Sequence, residues 1–292
     1  MSALLEPLGY QYMVNAILLT SLIGAVCGFL SAFLVLRGWA LIADALSHAT
    51  VPGVAVAYML GLPFALGAFL SGGLAALAIG VVKQRTVLKE DVAIGLIFTG
   101  FFAAGLFMLS LSPSSVDLQR ILMGNVLAID GADALQMSII GVISLIFLTL
   151  CWKPLRLVFF DAQQARIAGV NPQLMQVLFF ACLSATALAA MQAVGALLVI
   201  AVVIIPGATA FLLTDRFANM IVISMAIGVL SAFLGSYLSY FIDGVTGALI
   251  VLFQSVCFVV ALVFATKKGL LASYRQRLQA TRLQLHTEHV QC

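Results

Sequence analysis

Residues 12–36, YMVNAILLTSLIGAVCGFLSAFLVL, contain no charged side chain and are long enough to cross a lipid bilayer as a helix. A spanning helix needs about 20 mostly apolar residues. Similar runs follow at 39–60, 62–82, 92–111, 132–152, 173–192, 194–213, 218–240 and 245–265. Because exposed sheet edges are not tolerated in lipid, the runs are predicted to be helices. The expected fold is therefore an all-α, polytopic membrane helix bundle of about nine spanning helices, or eight if 39–60 is a broken or partial span.

The composition excludes a soluble globular protein. The chain is 63% hydrophobic and only 9% charged, whereas soluble domains carry roughly 25% charged residues. The net charge of +3 does not indicate nucleic acid, because the basic residues lie between apolar runs and in the tail. A lipid bilayer is the expected surrounding, and no nucleic-acid partner is expected.

The basic residues predict the orientation. With the N-terminus periplasmic, all of the 14 Lys and Arg except Arg120 fall on the cytoplasmic side, as the positive-inside rule requires. Residues 1–265 are then the membrane domain and 266–292 a basic cytoplasmic tail. We expect no cleavable signal peptide, because residues 1–11 contain no Lys or Arg and the first run is too long. The tail ends in His286, His289 and Cys292, a spacing that could bind metal in a helix, although a disordered end is the expected interpretation.

Small residues at a spacing of four predict where helices pack closely. The pairs are Gly24 with Gly28, Gly67 with Ser71, and Gly228 with Ala232. In VGALLVIAVVIIPGATAFLL (194–213), Pro206 removes a backbone hydrogen bond and is expected to kink the helix.

The segment GWALIADALSHATVPG (38–53) places ionisable side chains inside an apolar run. Such residues are costly in a membrane and usually face a partner or a watery cavity. The spacing of four puts Asp44 and His48 on one helix face, one turn apart. A carboxylate oxygen and an imidazole nitrogen converging there form half a site for a divalent transition metal. The alternative is a hydrated or capping pair near the membrane surface.

The connection LRLVFFDAQQARIAGVNP (155–172) is short and polar after its first residues. Around Asp161 and Ala165 it favours a small helix that ends at Gly169, which could dock a cytoplasmic partner. The alternative is an ordinary amphipathic connector.

The sequence lacks several common catalytic motifs. It contains no GxxxxGK[ST], HExxH or GxSxG, so it has no phosphate-cradling loop of its own and no support for the usual hydrolase chemistries. We therefore predict that the chain is not an enzyme and that any ATP hydrolysis occurs on a separate subunit.

At these stretches the chain resembles the permease subunits of ABC-3 type metal-ion importers. The similarity covers nearly all of residues 10–265 and is carried by LRGWALIADALSHATVPGVAVAY (36–58), DVAIGLIFTGFFAAG (91–105), DLQRILMGNVLAI (117–129) and the segment 194–213. The resemblance is greatest to bacterial permeases associated with manganese and chelated iron.

The resemblance implies a subunit of a bacterial inner-membrane importer. Its partners would be a second permease copy or paralogue, a cytoplasmic ABC ATPase dimer and a periplasmic metal-binding protein. Asp44 and His48 match the metal-contacting D-x-x-x-H motif, and Asp161, Ala165 and Gly169 match the loop that couples to the ATPase. The cargo would be a divalent metal and no cofactor would be bound permanently. Mn²⁺ or Fe²⁺ is favoured over Zn²⁺, because the segment 92–111 lacks the histidine that zinc members often carry.

Three other functions remain open from the residues alone. A secondary carrier driven by an ion gradient would transport metal without an ATPase. An intramembrane metal-dependent enzyme would need a third ligand and a base, which are not evident on a second helix. A membrane scaffold would leave Asp44 and His48 unexplained.

Overall fold

The chain folds as a bundle of helices. The computed structural model describes residues 6–62, 64–86, 90–111, 131–195 and 198–265, and these contain helices but no strand. A short 3-10 helix (Glu6–Gly9) precedes the others. The α-helices are α1 (Gln11–Arg37), α2 (Ala40–Ala49), α3 (Val51–Leu60), α4 (Phe64–Arg85), α5 (Glu90–Leu111), α6 (Gly131–Phe160), α7 (Ala162–Ile167), α8 (Pro172–Val194), α9 (Val199–Leu213), α10 (Phe217–Ile242) and α11 (Thr246–Phe264).

Among the described residues, the helices α1, α6, α8, α10 and α11 are each long and apolar enough to cross a membrane. Large apolar side chains lie on the outer surface of the bundle, such as Leu150 at 75% exposure and Leu96 at 65%. This arrangement is stable only where lipid covers that surface. The expected all-α membrane bundle is confirmed, while the number of spans and the orientation of the termini stay predictions. The tail 266–292, with its His and Cys residues, and Arg120 lie outside the described residues.

Helix α1 is the central element. In its most apolar stretch 83% of the residues are buried, compared with 22% in α6 and in α11. It packs against α10, α9, α6 and α8. A second group is formed by α2, α3, α4 and α5, and α8 contacts α2 and α4 of this group as well as α1. Helix α2 also reaches α9, so it lies where the two groups of helices meet.

The contact between α1 and α10 depends on glycine. A Cβ atom added to Gly24 would lie 2.5 Å from the carbonyl oxygen of Gly228, and one added to Gly28 would lie 2.5 Å from that of Ser224. The Ser224 hydroxyl donates a hydrogen bond to the Gly28 carbonyl at 2.5 Å. The predicted small-residue faces are thus used for close backbone packing, as is common between helices in lipid.

The helices around α2 and α3 pack in the same manner. The backbones of Gly53 in α3 and Gly67 in α4 lie so close that a Cβ atom on either would clash with the other's carbonyl. Gly105 of α5 leaves room for Pro52, since a Cβ there would come within 2.9 Å of the proline ring. These contacts hold the break between α2 and α3 against two neighbouring helices.

Helix α9 continues through Pro206, and α1 supplies a hydrogen-bonding side chain beside it. The Ser31 hydroxyl donates to the Ile204 carbonyl at 3.0 Å and accepts from the Gly207 amide at 2.8 Å. A proline in a helix cannot donate to the carbonyl four residues earlier, and side chains of neighbouring helices can bond to the backbone around such a position in a membrane. Ser31 therefore stabilises α9 at the position where the sequence predicted a kink.

Two predicted runs differ from the observed helices at a proline, and the first of them, 39–60, had been considered as a broken span. The run 39–60 is divided at Thr50 into α2 and α3, because Pro52 has no amide hydrogen to donate to the carbonyl four residues earlier. The run 132–152 continues as α6 to Phe160, through Pro154. Leu155, Val158 and Phe159 are buried, and the apolar burial of this last turn outweighs the hydrogen bond that the proline removes.

Candidate metal site

Asp44 and His48 lie one turn apart on α2, as their spacing predicted. The His48 Nδ1 atom is 3.4 Å from the Asp44 Oδ1 atom, and the side chains are 14% and 27% exposed, respectively. Both side chains are thus mostly buried but retain an accessible edge. The carboxylate therefore lies beside the Nδ1 edge of the imidazole, on the same face of α2.

The hydrogen bonding of His48 determines which ring nitrogen is protonated. Its Nδ1 atom lies 3.1 Å from the main-chain carbonyl oxygen of Asp44. A carbonyl oxygen only accepts, so Nδ1 carries the hydrogen in the neutral ring. The Nε2 atom then keeps its lone pair. A histidine that donates from one nitrogen to an oxygen and offers the other to a metal is the usual arrangement in protein metal sites.

Both ends of α2 are anchored to neighbouring helices. At its start, the Trp39 ring packs against Phe159 at 5.3 Å and Phe180 at 5.5 Å between centroids. At its end, the Ser71 hydroxyl of α4 donates to the Ala49 carbonyl at 2.5 Å. The site is therefore carried on a short helix whose ends are held by other elements.

A pair of phenylalanines on α5 contacts His48. The centroids of Phe98 and Phe102 lie 5.2 Å and 5.3 Å from that of the imidazole, with interplanar angles of 88° and 76°. Neither phenylalanine was predicted from the sequence to belong to the site. Their spacing of four in the segment 91–105 is a helical pattern, but it is common to any apolar helix and does not point to the histidine.

The site formed by the described residues is incomplete. Within the described ranges, no group of three or more His, Cys, Asp and Glu side chains is placed to hold a metal ion. Transition metals in proteins take four or more ligands. Asp44 and His48 can therefore supply only part of a coordination shell, and a complete shell requires further donors.

The connection after α6 folds as predicted into a small helix, α7. The Asp161 Oδ1 atom accepts hydrogen bonds from the amides of Gln163 and Gln164 at 3.0 Å and 2.9 Å, which caps the helix N-terminus. Ala165 is fully buried. Its side chain packs against the rest of the bundle and anchors the helix there.

Gly169 ends α7 in the left-handed conformation, with φ at +76°. The Val170 amide donates to the Ala165 carbonyl at 2.9 Å and the Gly169 amide to the Arg166 carbonyl at 3.1 Å. This pair of bonds is the Schellman arrangement. Beside it, the Ile167 side chain is 87% exposed, so α7 presents a large apolar residue next to its exposed polar side chains.

The long apolar helices, the glycine-mediated packing and the ionisable pair within the bundle define a multi-pass membrane protein of the transporter class. Residues 9–265 match the family described as "ABC 3 transport family". The chain belongs to this family.

Two curated relatives and one solved structure illustrate the similarity. The chain is 52% identical to the chelated iron transport system membrane protein YfeC of Yersinia pestis, over 97% of each chain. It is 46% identical to the manganese transport system membrane protein MntB of a Synechocystis strain, covering 94% of this chain and 90% of that protein. The structure of PsaBC from Streptococcus pneumoniae in complex with Fab matches with a TM-score of 0.84 and 33% identity, over 91% of this chain and 97% of that one. The predicted family resemblance is confirmed.

Proposed function

We propose that this chain is the transmembrane permease subunit of an ATP-driven importer of divalent transition metal in the bacterial inner membrane. The observation that carries the proposal is the pairing of Asp44 with His48 on α2 in a member of the ABC 3 transport family. Charged and ionisable side chains inside a membrane bundle are expensive and mark substrate pathways. The names of the relatives, which specify manganese and chelated iron, support the choice of cargo.

The donor set favours Mn²⁺ or Fe²⁺ over Zn²⁺. Each chain offers one carboxylate and one imidazole, and harder oxygen donors suit Mn²⁺ while nitrogen and sulfur donors suit Zn²⁺. A second permease copy or a paralogue with the same pair would bring two carboxylates and two imidazoles to a shared pathway. Such a site holds metal weakly enough to release it, which conduction requires.

The break between α2 and α3 gives the site a means of changing shape. The Pro52 ring removes one backbone hydrogen bond directly after His48. Metal delivered by a periplasmic binding protein would be held by Asp44 and His48, and movement of the helices around this break would open the site inward. The energy would come from a cytoplasmic ABC ATPase dimer, which α7 would contact through Ile167 and the polar residues beside it.

The contact between α7 and the ATPase leads to a first prediction. Ile167→Asp is expected to lower co-purification of the ATPase with the permease by about tenfold, because a buried apolar contact of this size contributes roughly 1.5–3 kcal/mol. Gly169→Val is expected to have a similar effect, since a β-branched residue is strained at positive φ and the helix end would move.

Two matched controls distinguish the loss of a specific α7 contact from general misfolding of the permease. Ile167→Leu retains the apolar side chain, and Gly169→Asn tolerates the left-handed conformation. Both are expected to assemble like the wild type in an affinity pull-down from detergent. Full assembly of Ile167→Asp and Gly169→Val would show that α7 is only a connector.

The experiment that tests the proposed function is uptake into vesicles. The permease, alone or with its ATPase and the periplasmic binding protein, is reconstituted and supplied with Mn²⁺, Fe²⁺ or Zn²⁺. We expect ATP-dependent accumulation of Mn²⁺ or Fe²⁺ only with the complete set of components. Uptake by the permease alone under an ion gradient would instead favour the secondary carrier.

A further inference from the structure

The orientation of His48 is set by groups on two helices. On its own helix, the Nδ1 atom is directed to the Asp44 carbonyl oxygen at 3.1 Å. From α5, Phe98 and Phe102 approach the ring nearly at right angles. In its neutral form the imidazole can therefore bind a metal only through Nε2. The contacts of the ring fix the direction in which Nε2 points.

The two phenylalanines lie on the same side of the imidazole. Their centroids are 6.1 Å apart and the rings are stacked at 17°, whereas each is 5.2–5.3 Å from the His48 centroid. If the two phenyl rings lay on opposite sides of the imidazole, their centroids would be separated by about twice the distance from each to His48. The observed separation is much shorter, so both rings lie on the same side. The pair thus packs against one side of the ring.

We infer that Phe98 and Phe102 are positioning residues for metal binding: they hold the His48 imidazole in the rotamer that presents Nε2 to the transport pathway. The inference rests on the proposed function, because it assumes that His48 binds the cargo. A ring held in its binding orientation loses little freedom when the metal arrives, and such preorganisation raises affinity. Neither phenylalanine offers a donor atom, so their contribution comes only from the geometry that they impose.

A purely structural role for the two rings makes a different prediction. Filling space in the bundle requires apolar volume but not an aromatic ring, so leucine would replace either residue. Perpendicular ring contacts, by contrast, depend on the aromatic face and edge. The comparison of leucine with tyrosine at one position therefore distinguishes the two roles.

The test is equilibrium binding of Mn²⁺ to the purified permease–ATPase complex without ATP, with free Mn²⁺ measured by electron paramagnetic resonance. Phe98→Ala and Phe102→Ala are each expected to raise the Kd by about three- to tenfold, the range that aromatic pair energies imply, at unchanged stoichiometry. Phe102→Tyr is expected to bind nearly as the wild type and Phe102→Leu as weakly as the alanine variant. Phe107→Ala is the matched control, because this phenylalanine lies on the same helix with its side chain 64% exposed.

Each result supports or overturns the inference. A Kd within twofold of the wild type in both alanine variants overturns it, as does a leucine variant that binds as tightly as tyrosine. If the alanine variants do not assemble, the leucine–tyrosine pair decides. His48→Ala separates the two proposals: binding that survives this change overturns the proposed site and the positioning role together, while binding that depends on His48 but not on the phenylalanines overturns the positioning role alone.

Discussion

His48→Ala is expected to reduce metal uptake by the assembled transporter to the background of empty vesicles. The substitution removes the imidazole proposed to bind the cargo and leaves Asp44 without its partner at 3.4 Å. Removing a direct ligand from a site with few donors leaves too weak an interaction for capture, so the rate falls at every metal concentration. The measurement is the initial rate of Mn²⁺ and Fe²⁺ accumulation in vesicles containing the complete set of components.

Asp44→Asn tests the carboxylate at nearly constant shape. We expect uptake to fall by at least roughly 10–100-fold, because this is the loss when a carboxylate that only supports a metal-bound histidine is removed, and Asp44 is proposed to bind the metal itself. Asp243→Asn is the matched control. Asp243 is an exposed residue at the end of α10 with φ at +53°, a conformation that asparagine tolerates.

Two observations complete this test of the site. Both α2 variants should reach the membrane and bind the ATPase like the wild type, which shows that the loss lies in metal handling. Near-normal uptake by both would refute the assignment of Asp44 and His48 as the cargo site.

Gly24→Leu is expected to have the largest effect on stability. Any side chain at this position meets the Gly228 carbonyl oxygen at 2.5 Å and the Ala232 Cβ atom at 3.1 Å. Overpacking of a core typically costs about 1–3 kcal/mol, and here the obstructing group is backbone that cannot adopt another rotamer. We therefore expect a loss of at least about 3 kcal/mol, seen as low yield of folded protein and a lower Tm in detergent.

Gly100→Leu provides the control for this prediction. Gly100 lies within α5, and a Cβ atom added there would meet no neighbouring atom within 4 Å, so leucine is expected to leave the Tm close to that of the wild type. Gly228→Leu should be as harmful as Gly24→Leu, because the two glycines occupy the same contact from opposite sides. If Gly24→Leu and Gly100→Leu melt at the same temperature, α1 and α10 do not pack through these backbones.

The membrane class, the helical architecture and the shared face of Asp44 and His48 were predictable from sequence. Each depends on interactions that are local along the chain: the length of an apolar run, the spacing of four on a helix, and glycine at the end of α7. Family membership was likewise predictable, because the stretches that carry it are contiguous. The roles of Asp44, His48 and the α7 residues in transport stay predictions.

Other features were decided by tertiary structure alone. Phe98 and Phe102 reach His48 from a helix about 50 residues further along the chain, and Ser31 bonds to the α9 backbone beside Pro206, 176 residues away. Helix α6 continues through Pro154 because buried neighbours stabilise its last turn. The apolar pattern of a membrane protein indicates which residues leave water. It does not indicate which helices pack against each other, because lipid and protein neighbours are equally apolar. That choice is made by close packing and by the pairing of polar groups, and both exist only once the helices have assembled.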